Sequence, residues 1–522
     1  MITRLFVLFF ALMFTGVFRG EAQKNTKTDH TPVVTTRLLA RYVRYFNAID
    51  TENIKNAVPD KDAFGWLAAN IPLFSCPDSV IQEIYYYRWW TFRKHLVKTP
   101  EGTIFTEFLT PVGHAGKYNS ISCALGHHIY EGRWLHNQTY VGQAIWYWLL
   151  HDRYEKHPVF HKYSSWIDDA IYHRYLINLD TAFITPLLPL LDEDYKGWET
   201  EKLLPDGMFW QYDVRDGMEE SISGSRHDKN TRPTINSYMY GNAKAIAAMA
   251  AVVHIDSLHR EYTRKAALLK SLVEKNLWST KDHFFEVREA KSGQLSGTRE
   301  EIGYIPWYFN LPTDSSTYGS AWDQLTDTAG FRAPWGITTA ERRSPYFRTH
   351  GTGDCEWDGA VWPFATTQTL KGLANLLTYY HHHDMKKADY FRLLKQYASS
   401  MQKNGRPFIG EYQDGKTGFW LKGYSPRSKF YNHSCFCDLV ISGLIGLKPR
   451  ADNIIEVNPL IPAHRWKWFC LEGIGYHHHR LTILWDQTGQ KFHKGKGFRI
   501  YVDGTLIIHT ATLQHVYGKM PS

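Results

Sequence analysis

Three interruptions in an otherwise helical pattern constrain this chain most. Gly303-Tyr304-Ile305-Pro306-Trp307-Tyr308-Phe309, Ala333-Pro334-Trp335-Gly336 and Trp357-Asp358-Gly359-Ala360-Val361-Trp362-Pro363 are apolar and aromatic, yet each is broken by Gly or Pro. Around them, apolar residues recur at helical spacing. Ile235, Met239, Ile246, Met249 and Val253 give one buried face to a helix that begins behind Pro233, a residue the first turn accepts. Helices are also predicted over 36–48, 79–96, 140–154, 164–179, 181–191, 262–276, 364–380, 388–402 and 438–447. In 262–276, Leu268, Leu269, Leu272 and Val273 face inward, and Ser434 or Asn432 caps 438–447. Paired helices joined at one end by long Gly, Pro and Trp loops suggest an all-α helical toroid with its site at that end.

Beyond about Arg450 the period changes. Residues 453–459, 481–485 and 498–502 alternate or run in β-branched residues, and Asp503-Gly504 is a hairpin signal. A shorter strand is predicted over 103–109. The expected organisation is a signal peptide over 1–22, a loose polar segment over 23–34, a helical domain over 35–450, and a small antiparallel β appendage over 451–522 packed on it.

The chain has 522 residues, 43% of them hydrophobic, enough for a large core. Aromatics make up 15%, with 19 Trp, and flat indoles suit the apolar faces of sugar rings as well as core positions. The net charge of +8 is spread over short, scattered basic runs, which argues against a nucleic-acid partner. Arg4, the apolar run 5–17 and Gly20-Glu21-Ala22 read as a secretory signal cut near Ala22, so a periplasmic or extracellular protein is expected. No later stretch is long enough to span a bilayer. Six Cys (76, 123, 355, 435, 437, 470) permit disulfides in an oxidising compartment without revealing their connectivity. Cys435-x-Cys437 is too close for a zinc pair. The His runs at 381–383 and 477–479 point their side chains in different directions. Neither a metal nor a cofactor is expected.

The chemistry concentrates in Trp210–Tyr240. Asp213, Asp216, Glu219 and Glu220 fall within eight residues, followed by a Gly and Ser loop (Ser221, Ser223, Gly224, Ser225) just before the buried helix. Such a loop is either a solvated turn at a helix N-terminus or a mount for a catalytic acid. Cleaving a glycosidic bond takes two carboxyl groups on opposite sides of the sugar, one to protonate the leaving oxygen and one to attack or activate water. The best partner is Glu411, in Gly410-Glu411-Tyr412-Gln413-Asp414-Gly415-Lys416-Thr417-Gly418-Phe419-Trp420, with Glu356 beside Trp357 next. The stretch 111–134 is rich in His, Tyr and Asn, residue types that bind ligands from loops.

These residues carry a resemblance to the six-hairpin glycosidases, within the group that includes family 63 glycoside hydrolases, trehalase-like enzymes and mannosylglycerate hydrolases. Gly217-Met218-Glu219-Glu220-Ser221 is similar to that group's Glu-Ser-Gly-x-Asp-Asn-Ser motif, which holds its general acid. Trp357-Asp358-Gly359-Ala360-Val361-Trp362-Pro363 resembles its Trp-x-Gly-x-Val-Trp-Pro signature. Glu411-Tyr412 with Thr417-Gly418 resembles the Glu-x-Tyr-x-x-x-Thr-Gly segment that holds its general base. Order and separations match over about residues 35–450. The resemblance implies an (α/α)6 toroid and exo-acting hydrolysis of an α-linked sugar from an oligo- or polysaccharide, with inversion, Glu219 as acid and Glu411 as base.

Two departures stand out. Glu219 occupies the place of an Asp, which leaves Asp216 and Glu220 as alternate acids. Thr234-Ile235-Asn236 keeps only the Asn of the group's Asp-Leu-Asn. Candidate sugar contacts are Trp210, Tyr212, Arg226, Asn236, Trp307, Trp335, Trp357, Trp362, Trp420, His114, His127 and His128, each with a structural reading beside the functional one. A polysaccharide lyase on a similar toroid, using the His and Tyr of 114–130, and a glycan-binding protein without turnover are the alternatives.

Overall fold

The computed structural model describes residues 32–156, 158–348 and 355–521. The expected signal peptide over 1–22 and residues 23–31 of the expected loose segment lie outside the described residues.

Helices whose residues are buried almost all round belong at the centre of a fold, and helices with a single apolar stripe belong at its edge. Pro233–Val252 and Pro363–Tyr379, each with Pro in the first turn, and Leu125–Gly132 are buried on nearly every side. Asp256–Asn276 buries Tyr262, Ala266, Leu269 and Val273 only, so it is an outer helix. That stripe corrects the expected inward face, because Leu268 lies one position off it and is exposed.

Packing follows a cycle. Leu125–Gly132 packs on Ile167–Asn178, that on Pro233–Val252, that on Ile305–Tyr308, that on Pro363–Tyr379, that on Leu439–Ile445, and the preceding turn Phe436–Asp438 packs back on Leu125–Gly132. Close approach of the first pair needs Gly126, since a Cβ there would sit 2.1 Å from the Trp166 ring.

The cycle closes through buried charge. Arg133 donates to Asp438 at 2.6 Å, both side chains being about 1% exposed. Glu131 accepts from the backbone N–H groups of Cys437 and Asp438 at 3.0 and 2.8 Å. The carboxylate thus caps the last helix of the cycle, where an anion is favoured. This replaces the expected Ser434 or Asn432 cap, and Asn432 instead donates to the Thr106 carbonyl.

The C-terminal region is β, as predicted. Strands Trp468–Tyr476, His479–Asp486, Gly497–Val502 and Thr505–Thr510 form an antiparallel sheet. Asp503 and Gly504 turn its last hairpin with φ of 48° and 79°, the signs a two-residue type I′ turn requires. The sheet's edge strand, Leu73–Ser75, comes from far upstream. It ties the appendage to Ser79–Lys94, which buries all faces because the helix Thr36–Ala48 packs on it as well. The strand expected over 103–109 is Gly102–Phe105, paired with Leu96–Thr99. The helix expected over 181–191 continues through successive turns to Lys202. All six cysteines are unpaired thiols, five of them buried. No described helix is long and apolar enough to cross a membrane.

Removing one partner of a buried ion pair costs more than forming it gains. Arg133→Met is therefore expected to lower unfolding free energy by about 3–5 kcal/mol in a denaturant titration. A loss below about 1 kcal/mol would show that the closure does not depend on this pair.

Candidate active site

The segments leading into the cycle's helices converge on one cavity of about 840 Å³. Ile121 and Cys123 precede Leu125–Gly132, Tyr163 precedes Ile167–Asn178, Trp362 precedes Pro363–Tyr379, and Tyr431 and His433 precede Phe436–Asp438, and all line it. The loop before Pro233–Val252 contributes Gly217, Glu219 and Glu220.

That loop is pinned at two points. Asp216 is buried and accepts from Arg232 Nε at 2.6 Å, Ser164 Oγ at 2.5 Å and the Thr234 hydroxyl. Glu300, also buried, accepts from the Ile222 and Ser223 backbone N–H groups at 2.8 and 3.3 Å. Between these anchors Gly217 adopts φ +73°, and a Cβ there would lie 2.9 Å from Cys123 Sγ. Only Gly fits that turn, and the turn presents Glu219 to the cavity.

Glu219 accepts from Trp357 Nε1 at 3.2 Å. Burial pushes its carboxyl up from the ordinary range and the charge of Glu411 pushes the same way, while its own backbone N–H, the Trp357 N–H and Arg226 act against them. Glu411 lies in a different setting. Arg427 Nη2 donates to both its oxygens at 3.1 and 3.0 Å, Lys422 Nζ stands 3.8 Å away and the Tyr431 hydroxyl 3.5 Å. Its backbone N–H donates to Ser428 Oγ at 3.0 Å, which fixes the segment. The sheet-like exchange between Val361 and Gln413, at 2.8 and 3.0 Å, brings the Trp357–Pro363 loop and the Glu411 segment side by side.

Of the other expected contacts, Trp357 and Trp362 line the cavity, their rings stacked at 4.2 Å and 24°. His114, Arg226, Glu220 and Glu356 also line it. Glu220 is exposed and bonded to Arg226 at 3.0 Å. Asp216 is absent from the lining, with its oxygens engaged as above.

Several candidates lie elsewhere. Trp307 is fully buried against Trp322 and Phe285. Asn236 binds the backbone of Phe209 and Arg232. His128 is bonded to the Asn432 carbonyl, and His127 packs against Trp166, Phe364 and Cys435. Trp420 donates to the Gln402 carbonyl, and Trp335 covers Gly418. Trp210 packs on Tyr212 and under Lys202, beside a neighbouring cavity that Tyr212 lines. In each case a large ring or amide had the spacing of a site residue but found its partners within the protein.

Sequence reasoning missed Glu107, Lys162, Arg215, Arg348, Lys422, Arg427 and Tyr431, all of which line the cavity. Glu107 had one available signal, a carboxylate between Phe105 and Phe108 in an apolar stretch. It is buried, and burial pushes its carboxyl up to about 8, with the charge of Glu411 adding and a Tyr431 hydrogen bond opposing. Among the described residues no group of His, Cys, Asp and Glu could hold a metal ion.

A cavity with two carboxylates in contrasting settings, walled by stacked indoles, is the arrangement of a glycoside hydrolase. Residues 117–434, more than half of the chain, match the family model described as mannosylglycerate hydrolase MGH1-like glycoside hydrolase domain, and the chain belongs to that family. Residues 447–509 match the C-terminal domain of glycosyl hydrolase family 65. A solved chain titled "Sialidase" is 48% identical with a TM-score of 0.90, over 93% of this chain and 45% of that one. The GH63 mannosylglycerate hydrolase of Thermus thermophilus, solved with Tris and D-glycerate, is 12% identical with a TM-score of 0.52, over 68% of this chain and 98% of that one, a likeness of fold. An uncharacterized protein of Borreliella burgdorferi is 24% identical over 216 residues, 41% of this chain and 42% of that one. The chain thus spans less than half the length of the sialidase-titled and Borreliella proteins.

Glu107 offers a test that needs no substrate. A carboxyl held near 8 in the folded chain, against 4.5 ordinarily, binds a proton that the unfolded chain has released. It therefore costs stability increasingly as pH rises from about 4.5 to 8. Glu107→Gln removes that cost, so its Tm minus the wild-type Tm is expected to grow across this window. A difference independent of pH would show that Glu107 titrates normally.

Proposed function

We propose that this chain is an exo-acting glycosidase that removes an α-linked sugar from an oligo- or polysaccharide with inversion, on an (α/α)6 toroid. Glu219 is the general acid and Glu411 the general base. The observation that carries this reading is the split between two carboxylates facing one cavity. Glu219, whose carboxyl burial pushes up and which accepts from the Trp357 indole N–H, suits proton donation to the leaving oxygen. Glu411, bracketed by Arg427 and Lys422, suits the acceptance of a proton from water. Asp216, engaged by Arg232, Ser164 and Thr234, is a positioning residue for the loop rather than an acid. Glu220, exposed and paired with Arg226, is a rim residue.

The packing cycle supports the toroid. It runs through six helical segments, and partners such as Asp256–Asn276 and Lys387–Ser400 lie outside it. Trp357 and Trp362 give the cavity an apolar aromatic wall for a sugar ring, with Trp362 itself stacked on both Trp357 and Phe364. Inversion follows from the resemblance and requires the two carboxyl groups to stand about 6.5–9.5 Å apart with room for a water. Secretion through the 1–22 signal remains the expected route. The sialidase-titled chain is more than twice as long, and its title describes that protein.

Purified wild-type protein is expected to release a monosaccharide from α-linked oligosaccharides. Glu411→Gln and Glu219→Gln should each lower the rate by about 10²–10⁴-fold. An aryl glycoside whose leaving group needs no proton should restore Glu219→Gln and not Glu411→Gln. Equal rates for Glu411→Gln and wild type would remove Glu411 from the mechanism. Proton NMR in the first minutes should show the β-anomer of the released sugar, and the α-anomer would mean retention.

A further inference from the structure

A second cavity, of about 1030 Å³, adjoins the first and shares His114, Lys162 and Arg215 with it. Its charged lining sorts by pairing. Lys117 is matched by Glu101 and Glu155, and Arg153 by Glu193. Glu201 is matched by His161, which also binds the buried Asp194. Asp152 accepts from the Val159 N–H at 2.9 Å.

Four cations are left over: the exposed Lys156, and Lys162, Lys202 and Arg215. Among the described residues none of them has a carboxylate within ion-pair distance. Lys162 Nζ donates to the His114 carbonyl at 2.9 Å, and Lys202 Nζ stands 4.2 Å over the Trp210 ring. Burial lowers both Lys162 and Lys202, and Arg215 repels each of them and lowers it further, while the charge of Glu201 raises Lys202. Asp216, which follows Arg215 in the chain, has its oxygens already taken by Arg232, Ser164 and Thr234.

Partly buried like charges without an ion-pair partner cost stability, and such a cluster in a cleft raises the local concentration of anions. Lys162 and Arg215 line both cavities and Lys202 lines the second, so a ligand extending from the Glu219–Glu411 cavity into its neighbour passes over them. The outer cavity is at the upper end of ligand-pocket sizes and has room for more than one sugar residue. We propose that Lys162, Lys202 and Arg215 form a leaving-group subsite for a sugar bearing an anionic substituent, which makes the substrate an acidic glycan. This rests on the Glu219–Glu411 pair as the reacting centre. Arg215 supplies a planar fork that matches a carboxylate in two hydrogen bonds, while the lysines act as point charges that a sulfate would also satisfy.

The test uses the full chain carrying Glu411→Gln, so that ligands bind without turnover, and measures affinity by calorimetry. The probes are an oligogalacturonate, the same oligosaccharide fully methyl-esterified, and a sulfated galactan oligosaccharide. The oligogalacturonate is expected to bind at least about tenfold more tightly than its neutral ester, with an affinity that falls as salt rises. Adding Lys162→Met and Arg215→Gln should erase that preference. If those substitutions unfold the chain, Lys202→Glu and the salt dependence of the parent protein read the same charge contact. Tight binding of the sulfated probe alone would assign the wall to sulfate rather than carboxylate. Equal affinity for charged and neutral probes, or a preference that survives the double substitution, would overturn the proposal. Lost charge preference with sugar release intact leaves the acid and base assignments standing. A charge preference without sugar release from any acidic glycan by the wild type keeps the subsite and removes those assignments.

Discussion

Everything about the site depends on one junction, where Glu131 and Arg133 at the end of one central helix meet Cys437 and Asp438 at the start of another. A capping carboxylate and a guanidinium are both withdrawn from water, and each is satisfied by the partner segment. A buried pair of this kind adds little net stability over an apolar contact of equal size. It does penalise any arrangement in which the two helices separate, because Glu131, Arg133, Asp438 and two backbone N–H groups would then lose partners. The helices on either side of this junction carry the segments that line the cavity, so the closure sets the spacing of the chemistry.

The same logic operates at the acidic loop. Four carboxylates within eight residues would repel one another in an unstructured turn. The fold gives each a separate environment. Asp216 goes down to Arg232 and becomes an anchor, and Glu220 goes out to Arg226. Asp213 turns back on its own loop, accepting from the Val214 N–H. Glu219 faces the cavity with neutral N–H donors, among them the Trp357 indole. The strained turn at Gly217, pressed on Cys123, makes that choice. On the other side Arg427 and Lys422 hold Glu411, and the uncharged Glu107 beside it adds a hydrogen-bonding carboxyl without adding to the repulsion.

Much of this was legible in the chain. Helices with apolar faces, Pro in their first turns and aromatic loops at one end led to the helical core, and the period change near Arg450 led to the β region. The Trp357–Pro363 and Glu411–Trp420 segments marked two walls of the cavity because their residue types suit no ordinary loop. What the sequence hid was partnership. Trp307, Trp420 and Asn236 look like site residues until their core contacts are known, and Asp216 looks as good an acid as Glu219 until Arg232 is seen to bind it. Arg427, Lys422 and Glu107 had no motif, because a pairing across more than ten residues of irregular chain leaves no periodicity. The sheet's use of Leu73–Ser75 was hidden for the same reason.

The central claim is that one cavity gives two carboxylates different chemistry. Carbon-13 NMR of the glutamate carboxyls, with Glu219 assigned by substitution, tests it directly. Glu219 should titrate above the ordinary carboxylate range, and its midpoint should fall when Glu411→Gln removes the neighbouring charge. A midpoint in the ordinary range, unmoved by that substitution, would contradict the assignment of Glu219 as the acid and with it the paired-carboxylate site.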